Sequence, residues 1–307
     1  MELLLLIIAA MFRMSFTLFV PALGETISQR AGVYNVAAEG YMLFGALGAY
    51  LTTAITHNAW LGVVAGILCG AFLSLIHAYF SINIKANQFV SGMALWLFSM
   101  GFTSYIFRTV KVEGIIIDGF NPLIINHLTN LPYIGKIIFN ESGLFYIGIL
   151  LIPVFYIFLY KTKLGLLIRS TGENPFAVDM AGYSVYRIRY AAVLICGAMS
   201  GLGGAYLPLV ILHNFNENMT AGRGFIALCI VILGRWNPAG VFLGSLLFAA
   251  VDALQMQMQV AGSRIPYPLL LMLPYVVTII VLVGLGPIMR KAVAPRKLAV
   301  PYEKGEE

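Results

Sequence analysis

Charged residues are scarce in this sequence. Of its 307 residues, 10% are charged and 60% are hydrophobic, whereas a soluble domain carries about 25% charged residues. A solvent other than water has to explain the missing charge. A segment that crosses hydrocarbon needs roughly 20 mainly apolar residues with its backbone hydrogen bonds satisfied internally. Lipid is therefore the expected solvent for most of the chain.

Residues that carry catalysis or bind cofactors are also few. No G-x-x-x-x-G-K-S/T sequence occurs, so the chain is not expected to bind ATP through a P-loop. Cys69, Cys196 and Cys229 each lie inside an apolar run, where free cysteine behaves as a small hydrophobe. The four histidines are dispersed and match no metal-ligand spacing: His57, His77, His127 and His213. The sequence predicts no catalytic residue, no metal site and no bound cofactor, which disfavours a membrane-embedded enzyme.

What the chain has in abundance is long apolar runs. Their lengths and polar boundaries predict nine membrane spans, within a range of eight to ten. The runs are 3–23, 41–56, 59–80, 88–107, 144–160, 190–212, 222–234, 239–257 and 267–286. The prediction is an all-α membrane protein with a membrane domain over residues 1–287 and a basic cytoplasmic tail over 288–307.

Basic residues concentrate in two places. Ten of the nineteen fall at Lys161, Lys163, Arg169, Arg187 and Arg189, and at Arg290, Lys291, Arg296, Lys297 and Lys304. An excess of Lys and Arg in short loops marks the cytoplasmic side of a membrane protein. Four runs lie between the two clusters, an even number, so both clusters are predicted to be cytoplasmic. The same alternation predicts that loop 108–143 and the N-terminus are external.

The run 222–234 is too short for a simple span, and it ends before Asn237 and Pro238. Interrupted helices at membrane depth are tolerated only where they face protein or a water-filled cavity. Such interruptions are typical of a solute pathway.

Residues 23–40 carry polar side chains between two apolar runs, among them Asn35 and Glu39. Polar groups at membrane depth are costly, and this makes them functional candidates. Asn35 and Glu39 are four residues apart, so on a helix they would share one face and could line or gate a pathway. Two alternatives are an interfacial loop with solvated charges and a bracing role for Glu39. Asp252 is the one acid in run 239–257 and could line the pathway or bind a neighbouring helix.

Residues 172–182 carry capping signals for a short helix. Asparagine accepts free amide donors at a helix start, proline fits the first turn, and glycine ends helices well. Asn174, Pro175 and Gly182 stand in those places. The segment lies within the predicted cytoplasmic region 161–189, so the expected helix is exposed on the inner face, where it can fit a groove on a partner protein. The alternative is an ordinary connecting helix.

Four blocks together carry a family resemblance. They are residues 23–40 (LGETISQRAGVYNVAAEG), 172–182 (GENPFAVDMAG), 219–238 (MTAGRGFIALCIVILGRWNP) and 273–278 (LPYVVT). In this order the blocks resemble the simple-sugar and nucleoside branch of bacterial ABC importer permeases, the ribose-type relatives of branched-chain amino acid permeases. The third block is similar to the shorter permease subunit of nucleoside importers.

The resemblance implies a type II-like permease fold with interrupted helices, in a bacterial plasma membrane. It implies three partners: an ATPase that uses ATP, an extracytoplasmic solute-binding protein or lipoprotein, and a second, different permease, with a homodimer as the alternative. No nucleic acid partner is expected. The implied ATPase-coupling residues are Glu173, Asn174, Pro175, Ala177, Ala181 and Gly182.

The function expected from these features is that of a permease subunit, without enzymatic activity of its own. Few and mixed charges within the membrane fit a small neutral polar solute, either a nucleoside or a simple sugar. The alternative is an ion-coupled secondary transporter, which would take up solute without any ATPase.

Overall fold

A computed structural model describes residues 2–110, 115–123, 141–260 and 294–304, with a few single residues between 266 and 283. Within these residues there is no strand, and one isolated bridge joins Pro122 to Ser142. The ten α-helices described are α1 Glu2–Arg30, α2 Ala38–Thr56, α3 Ala59–Ala78, α4 Gln88–Thr109, α5 Gly143–Lys161, α6 Lys163–Glu173, α7 Pro175–Met180, α8 Val185–Tyr206, α9 Arg223–Leu233 and α10 Pro238–Val260. Short π-helical turns extend α3 over Tyr79–Asn83 and α8 over Leu207–Leu212.

Among the described residues, six helical segments are long and apolar enough to cross a membrane. They are Leu5–Arg30, Ala59–Asn83, Gln88–Thr109, Gly143–Lys161, Val185–Leu212 and Pro238–Gln259. The prediction of an all-helical membrane protein is thus confirmed, but the predicted count of nine spans is not. Run 41–56 forms α2, run 222–234 forms the short α9, and most of run 267–286 lies outside the described residues.

Helix α2 lies in the middle of the bundle. It contacts α3, α4, α8 and α9, and most of its residues are buried within the chain. A helix surrounded by protein does not need the hydropathy of a helix that faces lipid. This explains how α2 can contain Glu39 and three threonines and still lie in the centre of a membrane domain.

Glycines let α2, α3 and α8 approach closely. A Cβ atom on Gly45 would lie 2.4 Å from the Gly201 carbonyl oxygen, and one on Gly70 would lie 2.3 Å from the Gly197 carbonyl oxygen. A Cβ atom on Gly204 would lie 2.0 Å from the Met42 carbonyl oxygen. The glycines at 201, 203 and 204 therefore bring helices together, as small residues do in membranes.

Large apolar side chains remain exposed along three helices at the periphery. They are Trp60, Leu61, Val64, Leu68 and Phe72 on α3, Phe89, Leu97 and Phe98 on α4, and Leu150, Val154 and Ile157 on α5. An exposed apolar face of this size is expected where lipid or another membrane subunit covers it.

The bundle has two ends, which hold different segments. One end, here the basic end, holds Arg30 and residues 81–87, 161–184 and 294–304. There the Arg30 side chain donates a hydrogen bond to the Trp236 carbonyl (3.1 Å). The opposite end holds residues 115–123, 141–142 and 213–218, joined by the backbone hydrogen bond from Ile117 to His213 (2.9 Å).

Candidate functional site

The side chain of Glu39 caps the N-terminus of α9. Its Oε1 accepts hydrogen bonds from the Thr220 hydroxyl (2.6 Å) and the Gly222 amide (2.7 Å), and its Oε2 accepts one from the Gly224 amide (2.6 Å). Only 1% of Glu39 is exposed. A helix N-terminus has amide donors without intrahelical partners and a partial positive charge. The carboxylate satisfies both requirements from a helix far away in the sequence.

Two glycines make this approach feasible. Gly222 precedes α9 with a φ of 82°, which side chains rarely adopt. A Cβ atom on Gly224 would lie 2.4 Å from the Glu39 amide nitrogen and 2.5 Å from its Cα. Glu39 itself lies in the first turn of α2, so the N-termini of α2 and α9 meet around one carboxylate.

This junction lies deep in the bundle. Gly40 packs against Ser99, which is halfway along α4, and a Cβ atom there would lie 2.7 Å from the Ser99 hydroxyl. Broken helices that meet inside a membrane bundle are typical of transport sites. Here the positive helix ends are already neutralised by the protein's own Glu39.

Asn35 belongs to a second buried network, centred on Glu25. The backbone amide of Asn35 and the side-chain amide of Gln29 both donate to Glu25 Oε1, at 3.1 and 2.9 Å. Cys196 of α8 donates to Glu25 Oε2 at 3.1 Å, and the Tyr41 hydroxyl donates to Asn35 Oδ1 at 2.7 Å. These bonds connect the end of α1, loop 31–37, α2 and α8.

The structure buries two of the three sequence-predicted pathway residues, Asn35 and Glu39, inside the chain. Asn35 precedes α2, which begins at Ala38, so Asn35 and Glu39 do not share a helix face. Asn35 is fully buried, as is Glu39, and the present contacts of both are those expected of braces. Contact with a solute would require their side chains to exchange partners, and the lining role stays a prediction.

Asp252 lies in α10 and is half-buried. The guanidinium of Arg223, in the first turn of α9, is close enough for its charge to act on the Asp252 carboxylate. Arg223 also donates to the carbonyls of Met219 and Thr220, at 3.3 and 3.2 Å. Asp252 is therefore near the α9 N-terminus that Glu39 caps.

A cavity of about 510 Å³ opens between α4 and residues 217–218. It is lined by Met100, Gly101, Ser104, Tyr105, Arg108, Thr109, Glu217 and Asn218. Arg108 and Glu217 form a bidentate ion pair at 2.6 and 2.8 Å, so their charges cancel. The pair holds the pKa of Glu217 below its usual value, chiefly through the Arg108 hydrogen bond. The wall of the cavity is mainly apolar, and the ion pair leaves it without net charge, which suits a neutral solute.

The capping signals in residues 172–182 form the predicted short helix. The Asn174 side chain accepts the Ala177 amide at 3.1 Å, and Pro175 is the first residue of α7. Gly182 ends the turn with a φ of 86°, and its amide donates to the Asp179 carbonyl at 2.9 Å. The residues of this segment exposed at the basic end include Glu173, Asn174, Ala177, Met180, Ala181, Gly182 and Tyr183.

Sequence reasoning missed three features of this region. Thr220 and Gly224 entered only as part of a family motif, and nothing local to them indicates Glu39 as their partner. Cys196 was interpreted as a small hydrophobe, although its thiol bonds to Glu25. The C-terminal residues 294–304 were interpreted as a basic tail, and they lie against α6, α7 and α8.

The family model for the permease component of branched-chain amino acid transport systems matches residues 7–282. The nucleoside ABC transporter permease NupC of Lactococcus lactis is 38% identical, with 98% of each chain covered. The guanosine ABC transporter permease NupQ of Bacillus subtilis is 35% identical, with 99% of this chain and 98% of its own covered.

A protein of Haloferax volcanii, provisionally assigned as a glucose ABC transporter permease, is 40% identical over 79% of this chain and 74% of its own. No solved structure matches the chain significantly.

Proposed function

Because the chain belongs to the family of branched-chain amino acid transport system permease components, we propose that it forms part of the pathway through which an ABC importer takes up nucleosides. It is a transport subunit and not an enzyme. The observation that carries the substrate proposal is similarity over nearly the whole chain to a nucleoside permease and a guanosine permease. The glucose-type relative makes a simple sugar the second candidate.

The internal neutralisation of the α9 N-terminus supports a neutral solute. In transporters, free half-helix N-termini attract anionic groups of the substrate. Glu39 already occupies this position, with three hydrogen bonds. The ion-paired cavity near Tyr105 offers an exposed aromatic ring together with hydroxyl and amide groups. A nucleoside has the matching flat base and hydroxylated sugar.

We place the pathway along the junction of α2, α9 and α10. In this proposal Asn35, Glu39 and Asp252 gate solute movement. Glu39 binds the break that separates α9 from residues 213–222, and Asn35 lies in the loop that leads to Glu39. The nine-span, type II-like arrangement is part of the same proposal. It needs a ninth span within residues 261–293, where the sequence has an apolar run.

The basic end faces the cytoplasm in this proposal, and the C-terminus lies there. The supporting observation is that Lys161, Lys163 and Arg187 lie at the same end as the C-terminal segment, as the positive-inside rule favours. The ATPase then docks on α7. The second permease packs against an exposed apolar face of the bundle, and the binding protein completes the importer.

The experiment is an uptake assay in cells that lack this subunit, complemented with the intact gene. Labelled adenosine and uridine should enter the complemented cells, while glucose and ribose should not. Nucleoside uptake that persists without the ATPase subunit would favour the ion-coupled carrier instead. Uptake of the sugars alone would replace nucleosides as the substrate and leave the ABC permease assignment standing.

A further inference from the structure

Residues 294–304, here the C-terminal strap, run across the basic end and bind three separate segments. The Lys297 amide donates to the Gly172 carbonyl at the end of α6 (2.9 Å). The Ala299 amide donates to the Gly32 carbonyl in loop 31–37 (3.0 Å). The Val300 carbonyl accepts a hydrogen bond from Nη1 of Arg189 in α8 (3.0 Å). The strap thus joins the predicted ATPase-docking region to the loop that carries Asn35.

The contact between the strap and loop 31–37 has no spare room. Gly32 has a φ of 91°, and a Cβ atom there would lie 2.9 Å from Nη2 of Arg189 and 3.1 Å from the Lys297 carbonyl oxygen. On the α6 side, a Cβ atom on Gly172 would lie 2.2 Å from the Arg30 carbonyl oxygen and 3.2 Å from the Pro295 side chain. The strap and the loop are therefore packed backbone to backbone at Gly32.

The other end of the strap is anchored beneath α7. Tyr302 is buried in a cluster with Val178 of α7 and Val185 of α8. Its ring meets the ring of Tyr186 edge-on, with centroids 5.9 Å apart. Lys85 forms an ion pair with Glu303 next to it. Tyr302 thus packs the strap against the buried face of α7.

Arg189 binds the middle of the strap through only one of its side-chain nitrogens. Only 1% of the residue is exposed, and its Nε and Nη2 have no hydrogen-bond partner in the part of the chain that the structure describes. Buried donors without partners are costly. A shift of the strap or of loop 31–37 that brings another carbonyl to these donors lowers that cost.

We infer that the C-terminal strap transmits movement of the ATPase-bound α7 to loop 31–37, and through it to Asn35 and the α2–α9 junction. The inference rests on the proposed docking of the ATPase on α7. The route contains a few residues only: Val178, Tyr302, Val300, Ala299 and Gly32. One backbone hydrogen bond, from Ala299 to Gly32, and the buried ring of Tyr302 carry it.

The test replaces Tyr302 in the complete importer. Tyr302→Ala empties the anchor beneath α7, and Tyr302→Phe keeps the ring and serves as the matched control. For Tyr302→Ala we expect membrane abundance and ATPase co-purification within twofold of the unaltered protein. Nucleoside uptake should fall at least tenfold, and nucleoside-loaded binding protein should no longer stimulate ATP hydrolysis. Tyr302→Phe should keep both activities within twofold.

A second variant perturbs the same route from its other end. Gly32→Ala places a methyl group against Arg189 and Lys297, and it should produce the same uncoupling. Unchanged uptake and stimulation in both alanine variants would overturn the inference. Loss of folded permease or of ATPase association in both would also overturn it, because the strap would then only support the fold or the docking surface. Failure of the docking proposal is seen separately, as normal ATPase association after Ala181→Trp.

Discussion

The carboxylate of Glu39 accepts the backbone amide of Gly224 at 2.6 Å, across 185 residues of sequence. The pair fixes the N-terminus of α9 to the N-terminus of α2. It also explains why residue 224 must be glycine, since a Cβ atom would overlap the Glu39 backbone. The short helix α9 owes its position to this bond as much as to its own hydrophobic face.

Gly224→Ala should separate α9 from α2. The methyl group would lie 2.4 Å from the Glu39 amide nitrogen, and overpacking of this kind typically costs 1–3 kcal/mol, here about 3 kcal/mol or more because the neighbour is backbone. We expect a lower unfolding temperature in detergent and less permease in the membrane. Gly101→Ala is the matched control, since a Cβ atom there meets nothing within 4 Å. Equal stability of the two variants would contradict the close approach.

Glu39→Gln tests whether the capping carboxylate braces the fold or gates the pathway. The glutamine side chain keeps one oxygen acceptor and turns its NH₂ group towards at least one of the three donors, which are the Thr220 hydroxyl and the amides of Gly222 and Gly224. Each hydrogen bond to a charged group contributes about 1.5–3 kcal/mol. The present contacts lead us to expect reduced membrane abundance. Asn35→Ala, which removes the acceptor for Tyr41, is measured in parallel.

Abundance, uptake and binding-protein docking are compared for these two variants. Normal abundance with lost uptake would support gating instead of bracing. Normal uptake in both would remove residues 32–40 from the mechanism.

Ala181→Trp should weaken ATPase association, or uncouple hydrolysis from uptake, while insertion stays normal. Ala181 is exposed at the end of α7, so a bulky side chain obstructs a docking partner without disturbing the bundle. A bulky residue at Gly182 should act similarly, but its φ of 86° adds backbone strain. Gly182→Ala therefore serves as the control for strain alone. Co-purification of the ATPase and transport at unaltered levels in Ala181→Trp would count against α7 as the docking helix.

Single cysteines test the orientation. In a background without Cys69, Cys196 and Cys229, Arg296→Cys should react with a membrane-impermeant thiol reagent only in inverted vesicles. Asp118→Cys should react in intact cells. Both positions are exposed in the structure, so access to the reagent depends on the side of the membrane. Labelling at position 296 from outside intact cells would reverse the proposed topology.

Glu141 should make stability depend on pH. Burial raises the pKa of Glu141 above its usual 4.5, although the hydrogen bond and charge of Arg13 oppose this. A carboxyl whose folded pKa is raised stabilises the fold fully below pH 4.5 and loses this contribution as the pH rises through the folded pKa. The unfolding temperature of the unaltered protein, relative to Glu141→Gln, should therefore fall between acidic and neutral pH. A relative increase over that range would mean that the Arg13 ion pair dominates.

Local chemistry in the sequence was sufficient to predict the membrane domain and the short helix α7. Among the described residues, six apolar runs coincide with helices that can cross a membrane, because a helix at membrane depth needs apolar side chains towards lipid and towards its neighbouring helices alike. The start and end of α7 follow from Asn174, Pro175 and Gly182, whose effects act within a few residues of themselves.

Tertiary structure alone decided how distant polar groups are paired. Hydropathy reports exposure to lipid, so it could not show that α2 lies in the protein interior, where Glu39 can be accommodated. The bonds from Glu39 to Gly224, from Cys196 to Glu25 and from Ala299 to Gly32 join residues far apart in the chain. Such pairs depend on where helices cross and which backbones approach, and no local pattern of residue types encodes those positions.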